Sequence, residues 1–133
     1  MSEARPIRIL VIEDEPDIQE LIQVLLGRWG YELIPALRAS KAAEVLRTPP
    51  LPDVVLLDLM LPDIDGLEFL RQMRAKKLFD DLPVVIVSAL ADPDQIRKGF
   101  DLGADRYVTK PAIASNLANT VQDVLKTGRR KPT

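Results

Sequence analysis

Short runs of aliphatic and β-branched residues alternate along this chain with longer segments in which apolar residues recur at helical spacing. Five runs of each kind can be counted. This alternation is typical of repeated βα units, which build a parallel sheet covered by helices. With 133 residues, 47% of them hydrophobic, the chain has the length and composition of one globular domain. We therefore expect a single α/β domain.

The predicted elements follow from this alternation. Strands are expected at residues 7–12, 31–37, 53–57, 84–87 and 107–109, and helices at 16–27 or 16–30, 40–47, 67–76, 93–102 and 113–126. The fourth strand is apolar throughout, which is typical of a central strand covered on both faces. Pro35 weakens the second strand, so we place that strand at the sheet edge. The first helix carries an apolar stripe predicted to be core, formed by Ile18, Leu21, Ile22, Leu25 and Leu26.

Charged residues stand where three of these strands end. Glu13 and Asp14 follow the first strand, Asp58 follows the third, and Lys110 follows the fifth. In open α/β sheets the carboxyl ends of the strands form the ligand crevice. We therefore expect these four side chains to meet at one edge of the sheet.

The composition limits the chemistry. There is no cysteine and no histidine, so thiolate and imidazole metal sites are excluded. A net charge of −2 gives no overall basic field, and we expect no direct binding of nucleic acid by this domain. No apolar run is long enough to span a membrane and no leader pattern is present, so we expect a cytoplasmic protein without membrane contact.

The three acids need a cation. Two like charges about 4 Å apart repel by roughly 4 kcal/mol at an effective dielectric constant near 20. Lys110 supplies one positive charge, and Mg²⁺ suits carboxylates, a backbone carbonyl and a phosphoryl oxygen. A carboxylate can accept a phosphoryl group while a metal and a lysine stabilise the charge. We take Asp58 as the candidate acceptor and the pair Glu13 and Asp14 as metal holders.

These residues, and the hydroxyl-bearing Ser88 and Tyr107 in or after the fourth and fifth strands, also have purely structural interpretations. Asp14 could cap or complement the helix that follows it, and Asp58 could form an Asx turn. Ser88 could bond nearby backbone at the end of its strand, and Lys110 could be a surface residue. Tyr107 could simply pack at a strand edge. The functional interpretation rests on the combination of these residues.

Four motifs carry a resemblance to a known family. They are ILVIEDEP at residues 9–16, LDLMLPDIDG at 57–66, VSA at 87–89 and GADRYVTKP at 103–111. With them the chain resembles a response-regulator receiver domain of two-component signalling, similar to the chemotaxis regulator, over residues 8–125. The resemblance implies a single flavodoxin-like, doubly wound domain: a five-stranded parallel sheet in order 2-1-3-4-5 with five helices on two faces.

The resemblance also implies roles for individual residues. Asp58 would be the phosphoacceptor, Asp14 would bind Mg²⁺ directly with help from Glu13 and Asp58, and the backbone carbonyl of Met60 would be a further ligand. Lys110 and Ser88 would contact the phosphoryl oxygens. Ser88 and Tyr107 would act in the switch. The readout would be the face formed by the fourth helix, the fifth strand and the fifth helix.

The implied partners are a histidine kinase or a histidine phosphotransfer protein as donor, and a downstream protein or output domain. Because the chain has no histidine, the donor must be another protein or domain. The chain would be a regulatory phosphoacceptor rather than an enzyme, and a monomer or a phosphorylation-dependent dimer. Residues 1–127 would form the receiver, and residues 128–133 a tail or the start of a linker.

Two features depart from the usual family pattern. Glu13 replaces the first of two aspartates, which affects metal affinity. Met60 and Leu90 are apolar and cannot orient a hydrolytic water by hydrogen bonding, so we expect slow loss of the phosphoryl group.

Three other classes of function are weighed against this one. A phosphatase with Asp58 as transient nucleophile is disfavoured because haloacid-dehalogenase-like enzymes carry aspartate where this chain has Met60. A flavin-binding module is disfavoured because residues 13–16 form an acidic turn that repels a cofactor phosphate. A receiver-like interaction module that is never phosphorylated is left as an alternative.

Overall fold

A computed structural model describes residues 5–130, and its centre is a five-stranded parallel sheet. The strands are β1 (Arg8–Ile12), β2 (Glu32–Ala36), β3 (Val54–Leu57), β4 (Val84–Ser88) and β5 (Arg106–Thr109). Their order is β2-β1-β3-β4-β5, and every pairing is parallel. The predicted fold and strand order are therefore confirmed.

Residues 5–130 contain five α-helices, of which four connect successive strands and the fifth follows β5. They are α1 (Pro16–Gly27), α2 (Ala39–Arg47), α3 (Gly66–Arg74), α4 (Pro93–Asp101) and α5 (Ile113–Thr127). Two short 3₁₀ helices occupy Lys77–Phe79 and Lys110–Ala112. Across residues 5–130, no helix has both the length and the apolar character needed to cross a membrane.

The sheet separates two apolar cores, because successive side chains of a strand point to opposite faces. In β1, Leu10 and Ile12 belong to one core, and Ile9 and Val11 belong to the other. The first core is closed by buried residues of α2 and α3, and the second by buried residues of α1 and α5. All five residues of β4 are buried, as expected for a strand with helices on both sides.

The predicted boundaries differ from the observed ones by a few residues. β2 is shorter than predicted at both ends, and it pairs with β1 alone, which confirms the edge position inferred from Pro35. The predicted core stripe of α1 is only partly buried. Ile22 and Leu26 are fully buried, whereas Leu21 is 37% exposed because it lies on the flank of the helix. The peptide bond between Pro49 and Pro50 is cis, which the sequence analysis did not anticipate.

Candidate functional site

The four charged residues predicted to converge do meet at the carboxyl edge of the sheet. Glu13 and Asp14 directly follow β1, Asp58 follows β3, and Lys110 follows β5 at the start of a 3₁₀ helix. β1 and β3 are neighbours, with Ile12 paired to Leu57, so the residues that follow them emerge side by side. Through the same parallel sheet, Glu13 and Lys110 come into contact although they are 97 positions apart in the sequence.

Lys110 forms ion pairs with three acidic residues at this end of the sheet. Its Nζ lies 3.1 Å from Asp58 Oδ2, 3.1 Å from Glu13 Oε1 and 2.5 Å from Glu15 Oε1. The side chains of Glu13 and Asp58 are 2% exposed, and that of Lys110 is 14% exposed. Because the Glu13 and Asp58 carboxylates are buried, the ammonium group interacts with them more strongly than a surface lysine could.

The acids are placed to hold a hard divalent cation. One carboxylate oxygen from each of Glu13, Asp14 and Asp58 can be chosen so that all three lie within 4.8 Å of one another. The buried Oε1 of Glu13 accepts no hydrogen bond, although Lys110 Nζ lies 3.1 Å away. An unsatisfied buried carboxylate oxygen beside two more carboxylates matches the all-oxygen ligand preference of Mg²⁺. The residues present therefore fit this ion.

Burial controls the ionisation of the cluster. Burial, reinforced by the charge of Asp58, raises the pKa of Glu13 from 4.5 to about 7, against the lowering effect of hydrogen bonds from Glu15 N–H and Lys110. Burial alone would lower the pKa of Lys110. Hydrogen bonds to Glu15, Asp58 and Glu13 together outweigh that effect and raise the pKa of Lys110 above its usual value. The lysine therefore stays charged.

The loop after β3 is held in a fixed shape beside Asp58. The backbone N–H of Met60 donates to Asp58 Oδ1 at 3.2 Å, so the Asx-turn interpretation and the contact with Lys110 hold at the same time. The loop then closes on itself through a bridge between Met60 and Asp65. A Cβ on Gly66 would lie 2.5 Å from the Asp58 carbonyl oxygen, so only glycine permits this close approach.

Ser88 and Tyr107 lie next to the cluster, in the two strands beyond β3. Ser88 is fully buried at the end of β4, and its Oγ accepts from the backbone N–H of Leu90 at 3.3 Å. The hydroxyl of Tyr107 donates to the carbonyl of Leu90, so it is not left to solvent. Both side chains thus hold the loop between β4 and α4.

The cap interpretation of Asp14 finds no support. The residue at the N-cap of α1 is Glu15, and its side chain accepts no bond from the helix backbone. The carboxylate of Glu15 contacts Lys110 instead, a contact that the sequence analysis missed. The sequence feature that could have indicated Glu15 is its position directly after Asp14. A second missed residue is Asp63, whose carboxylate accepts from the backbone N–H groups of Ala39 and Ser40 and so caps α2.

Comparison with known proteins gives the family. Residues 9–122 match the model of the response regulator receiver domain. The chain therefore belongs to the response-regulator receiver family.

Two similar regulators are longer than this chain. The phosphate regulon transcriptional regulatory protein PhoB of Pseudomonas aeruginosa is 36% identical over 118 residues, which cover 89% of this chain and 51% of PhoB. The DNA-binding dual master transcriptional regulator RpaA of Synechocystis is 35% identical over 125 residues, which cover 94% of this chain and 52% of RpaA. The chain thus spans about half the length of these relatives.

Solved structures share the fold. A putative response regulator from Chloroflexus aurantiacus matches with a TM-score of 0.85 at 29% identity, covering 92% of this chain and 99% of that one. The BeF3-activated receiver domain of Klebsiella pneumoniae RstA matches with a TM-score of 0.81 at 28% identity, covering 90% of this chain and 98% of that one. Receiver domains bind Mg²⁺ at an acidic pocket, and this chain has an acidic cluster of Glu13, Asp14 and Asp58.

Proposed function

We propose that this chain is the phosphoacceptor domain of a two-component or phosphorelay system, with Asp58 as the acceptor. The observation that carries this proposal is the contact of 3.1 Å between Lys110 Nζ and Asp58 Oδ2 inside a buried acidic cluster. A carboxylate with a fixed ammonium group and room for a divalent cation is suited to receive a phosphoryl group. The donor is a phosphohistidine of a histidine kinase or a histidine phosphotransfer protein.

In the transfer, a carboxylate oxygen of Asp58 forms a bond to phosphorus while the bond between phosphorus and the donor imidazole nitrogen breaks. The electron pair of the broken bond stays on the imidazole. Lys110 contacts the phosphoryl oxygens, and Ser88 donates a hydrogen bond to one of them. The reaction modifies only the chain itself, so the chain is a regulatory component rather than an enzyme with turnover of an external product.

Mg²⁺ would neutralise charge on the phosphoryl oxygens during transfer. Asp14 would bind it directly, with Glu13, Asp58 and the backbone carbonyl of Met60 completing the protein ligands. The orphaned Glu13 Oε1 and the small separation of the three carboxylates support this assignment. Mg²⁺ also explains how three acids can share one site with a single lysine.

We propose that Ser88 and Tyr107 convert the phosphorylated state into a change of shape. Both contact Leu90, which lies in the connection from β4 to α4, so a new bond from Ser88 to the phosphoryl group would disturb that connection. Moving a two-state equilibrium from 1:99 to 99:1 needs about 5.5 kcal/mol, and one to three charge-assisted hydrogen bonds of roughly 1.5 to 3 kcal/mol each are of that scale. The face of α4, β5 and α5 is the surface that a partner would read.

The remaining assignments follow from the family. Residues 1–127 would be the receiver and residues 128–133 a tail or the start of a linker to an output domain, of which residues 131–133 lie outside the described part. Because its relatives are about twice as long and are named as transcriptional regulators, DNA binding would belong to an output domain and not to this one. The domain would act in the cytoplasm, as a monomer or as a dimer formed on phosphorylation.

Intact-mass measurement tests the acceptor role. The wild type, Asp58→Asn and the control Asp17→Asn are incubated with acetyl phosphate and Mg²⁺. We expect one phosphoryl adduct on the wild type and on Asp17→Asn, and none on Asp58→Asn. No adduct on the wild type, under conditions that modify a known receiver, would leave the chain as an interaction module that works without phosphorylation.

A further inference from the structure

Glu15 makes the shortest contact of Lys110, yet it lies outside the acidic cluster. Its Oε1 is 2.5 Å from Lys110 Nζ, compared with 3.1 Å for the nearest oxygens of Glu13 and Asp58. The side chain of Glu15 is 59% exposed, whereas the other two carboxylates are buried. The three acids that could hold a cation are Glu13, Asp14 and Asp58, so this grouping does not include Glu15.

Among residues 5–130, the carboxylate of Glu15 forms no hydrogen bond or ion pair other than the one with Lys110. Glu15 occupies the N-cap position of α1, where a side-chain oxygen commonly accepts a bond from the first helical turn. Here no such bond forms, and the side chain reaches to Lys110 over a separation of 95 residues. Its backbone groups, by contrast, bond locally: the N–H donates to Glu13 Oε2 at 3.0 Å, and the carbonyl accepts from the N–H of Gln19 at 3.0 Å.

The contact occupies a donor that phosphoryl transfer needs. An ammonium group has three N–H donors, and three carboxylates surround that of Lys110. When Asp58 becomes an acyl phosphate, its phosphoryl oxygens and Glu15 compete for the same lysine. Because Glu15 is exposed, its bond is screened and can be exchanged without leaving a buried charge unpaired.

We propose that Glu15 is a positioning residue that holds Lys110 in the unphosphorylated chain and must release it when Asp58 is phosphorylated. This inference rests on the proposed function of Asp58. Removing the charge of Glu15 should therefore favour the phosphorylated state. An exposed ion pair supports an effect of about two- to fivefold in rate or affinity.

The experiment compares Glu15→Gln with Asp17→Asn, each with Mg²⁺ at a saturating concentration. Asp17 is an exposed acid in the first turn of the same helix, so its substitution removes an equal charge near the same helix N-terminus. Two quantities are measured: the rate of adduct formation with acetyl phosphate, and the beryllofluoride concentration that half-saturates the protein. In the first reaction an oxygen of Asp58 bonds to phosphorus as the bond from phosphorus to the acetyl oxygen breaks, and acetate leaves with the electron pair.

We expect Glu15→Gln to react about two- to fivefold faster than the wild type and to bind beryllofluoride more tightly by a similar factor, with Asp17→Asn unchanged in both. Beryllofluoride binding separates release of Lys110 from a structural effect, because a merely structural loss would weaken binding. Equal values for Glu15→Gln and the wild type would overturn the inference. So would slower reaction or weaker beryllofluoride binding in Glu15→Gln, because Glu15 would then support the site instead of competing for Lys110. A wild type that forms no adduct would instead contradict the acceptor role of Asp58.

Discussion

At the scale of single residues, the central feature of the site is the buried acid Glu13 and its contact with the charged Lys110. Glu13 is 2% exposed, and one of its oxygens accepts no hydrogen bond. An aspartate at this position would be one methylene shorter and would reach less far toward Lys110. With the longer side chain, Glu13 Oε2 accepts a hydrogen bond from Lys110 at 3.3 Å, whereas Oε1 accepts none.

The raised pKa of Glu13 predicts a pH dependence of stability. Its pKa is about 7 in the folded chain, and 4.5 is the ordinary value that applies to the unfolded chain. Between pH 4.5 and pH 7, the folded state therefore binds more protons than the unfolded state. Without metal, the free energy of unfolding should therefore fall as pH rises from 4.5 to 7, by up to about 3 kcal/mol. Glu13→Gln should lack this part of the slope. Urea titrations in a chelating buffer check the difference, and parallel pH profiles for the two proteins would contradict it.

Met60 predicts how long the phosphoryl group survives. Its side chain is 59% exposed beside Asp58 and offers no group that could orient an attacking water. Met60→Asn adds a donor and an acceptor there without disturbing a buried contact. We expect severalfold faster loss of the adduct, followed by intact mass after the donor is removed. Marked slowing in Met60→Asn would show that the apolar residue does not protect the acyl phosphate.

The sequence was sufficient to identify the residues that carry full charges at strand ends, because parallel pairing fixes where they meet. It could not show the contact between Glu15 and Lys110, since a side-chain rotamer decides that contact. Nor could it show that Asp58 forms an Asx turn and faces a lysine at once.

At the scale of elements, the connection from β3 to α3 depends on a glycine. A Cβ on Gly66 would lie 2.5 Å from backbone atoms of Asp58 and Leu59, whereas a Cβ on Gly27 would meet nothing within 4 Å. Gly66→Ala should lower the free energy of unfolding by about 1 to 3 kcal/mol, because backbone must move to make room. Gly27→Ala, in a helix, should raise it by about 0.5 kcal/mol. Thermal or urea unfolding checks both, and a Gly66→Ala variant as stable as the wild type would refute the close approach.

A buried aspartate at the amino end of β5, opposite the carboxyl ends that form the candidate site, ties the end of α5 to the rest of the domain. Asp105 contacts Arg74 at 3.2 Å and Arg129 at 2.8 Å, and its side chain is fully buried. Its oxygens also accept from the backbone N–H groups of Val84 and Arg130. Residues 129 and 130, beyond the end of α5, are therefore held against the start of β5.

This network predicts a large effect from a small change. Asp105→Asn keeps the size of the side chain but leaves two arginines facing a neutral group, and should cost about 3 kcal/mol of unfolding free energy. The matched control is Asp123→Asn, which breaks a more exposed pair with Arg106 and should cost less than about 1 kcal/mol. Urea unfolding of both variants measures these losses. Equal losses of unfolding free energy would show that burial does not distinguish the two ion pairs.

The strands and helices could be predicted from periodicity, and their ends could not. Val84 to Val87 could be recognised because every residue is apolar, whereas the exact ends of β2 depend on its pairing with β1. The close approach of Gly66 to Asp58 could not be predicted, since this backbone contact exists only in the folded chain. The network of Asp105 escaped prediction for the same reason.

At the scale of the whole molecule, one topology places every candidate group. The strand order β2-β1-β3-β4-β5 brings the carboxyl ends of β1, β3 and β5 to a single edge. The alternation of strands and helices predicts a parallel sheet, but strand order was implied only by resemblance to a family. Periodicity alone does not order parallel strands, because each βα unit has the same local pattern.

The most direct measurement of the central claim is borohydride trapping after incubation with acetyl phosphate and Mg²⁺. Hydride reduces an aspartyl phosphate to an alcohol, and peptide mass mapping then locates it. We predict one reduced site, at Asp58, that disappears when Mg²⁺ is removed by a chelator. Reduction at any other carboxylate, or equal labelling of Asp58 without Mg²⁺, would contradict the account.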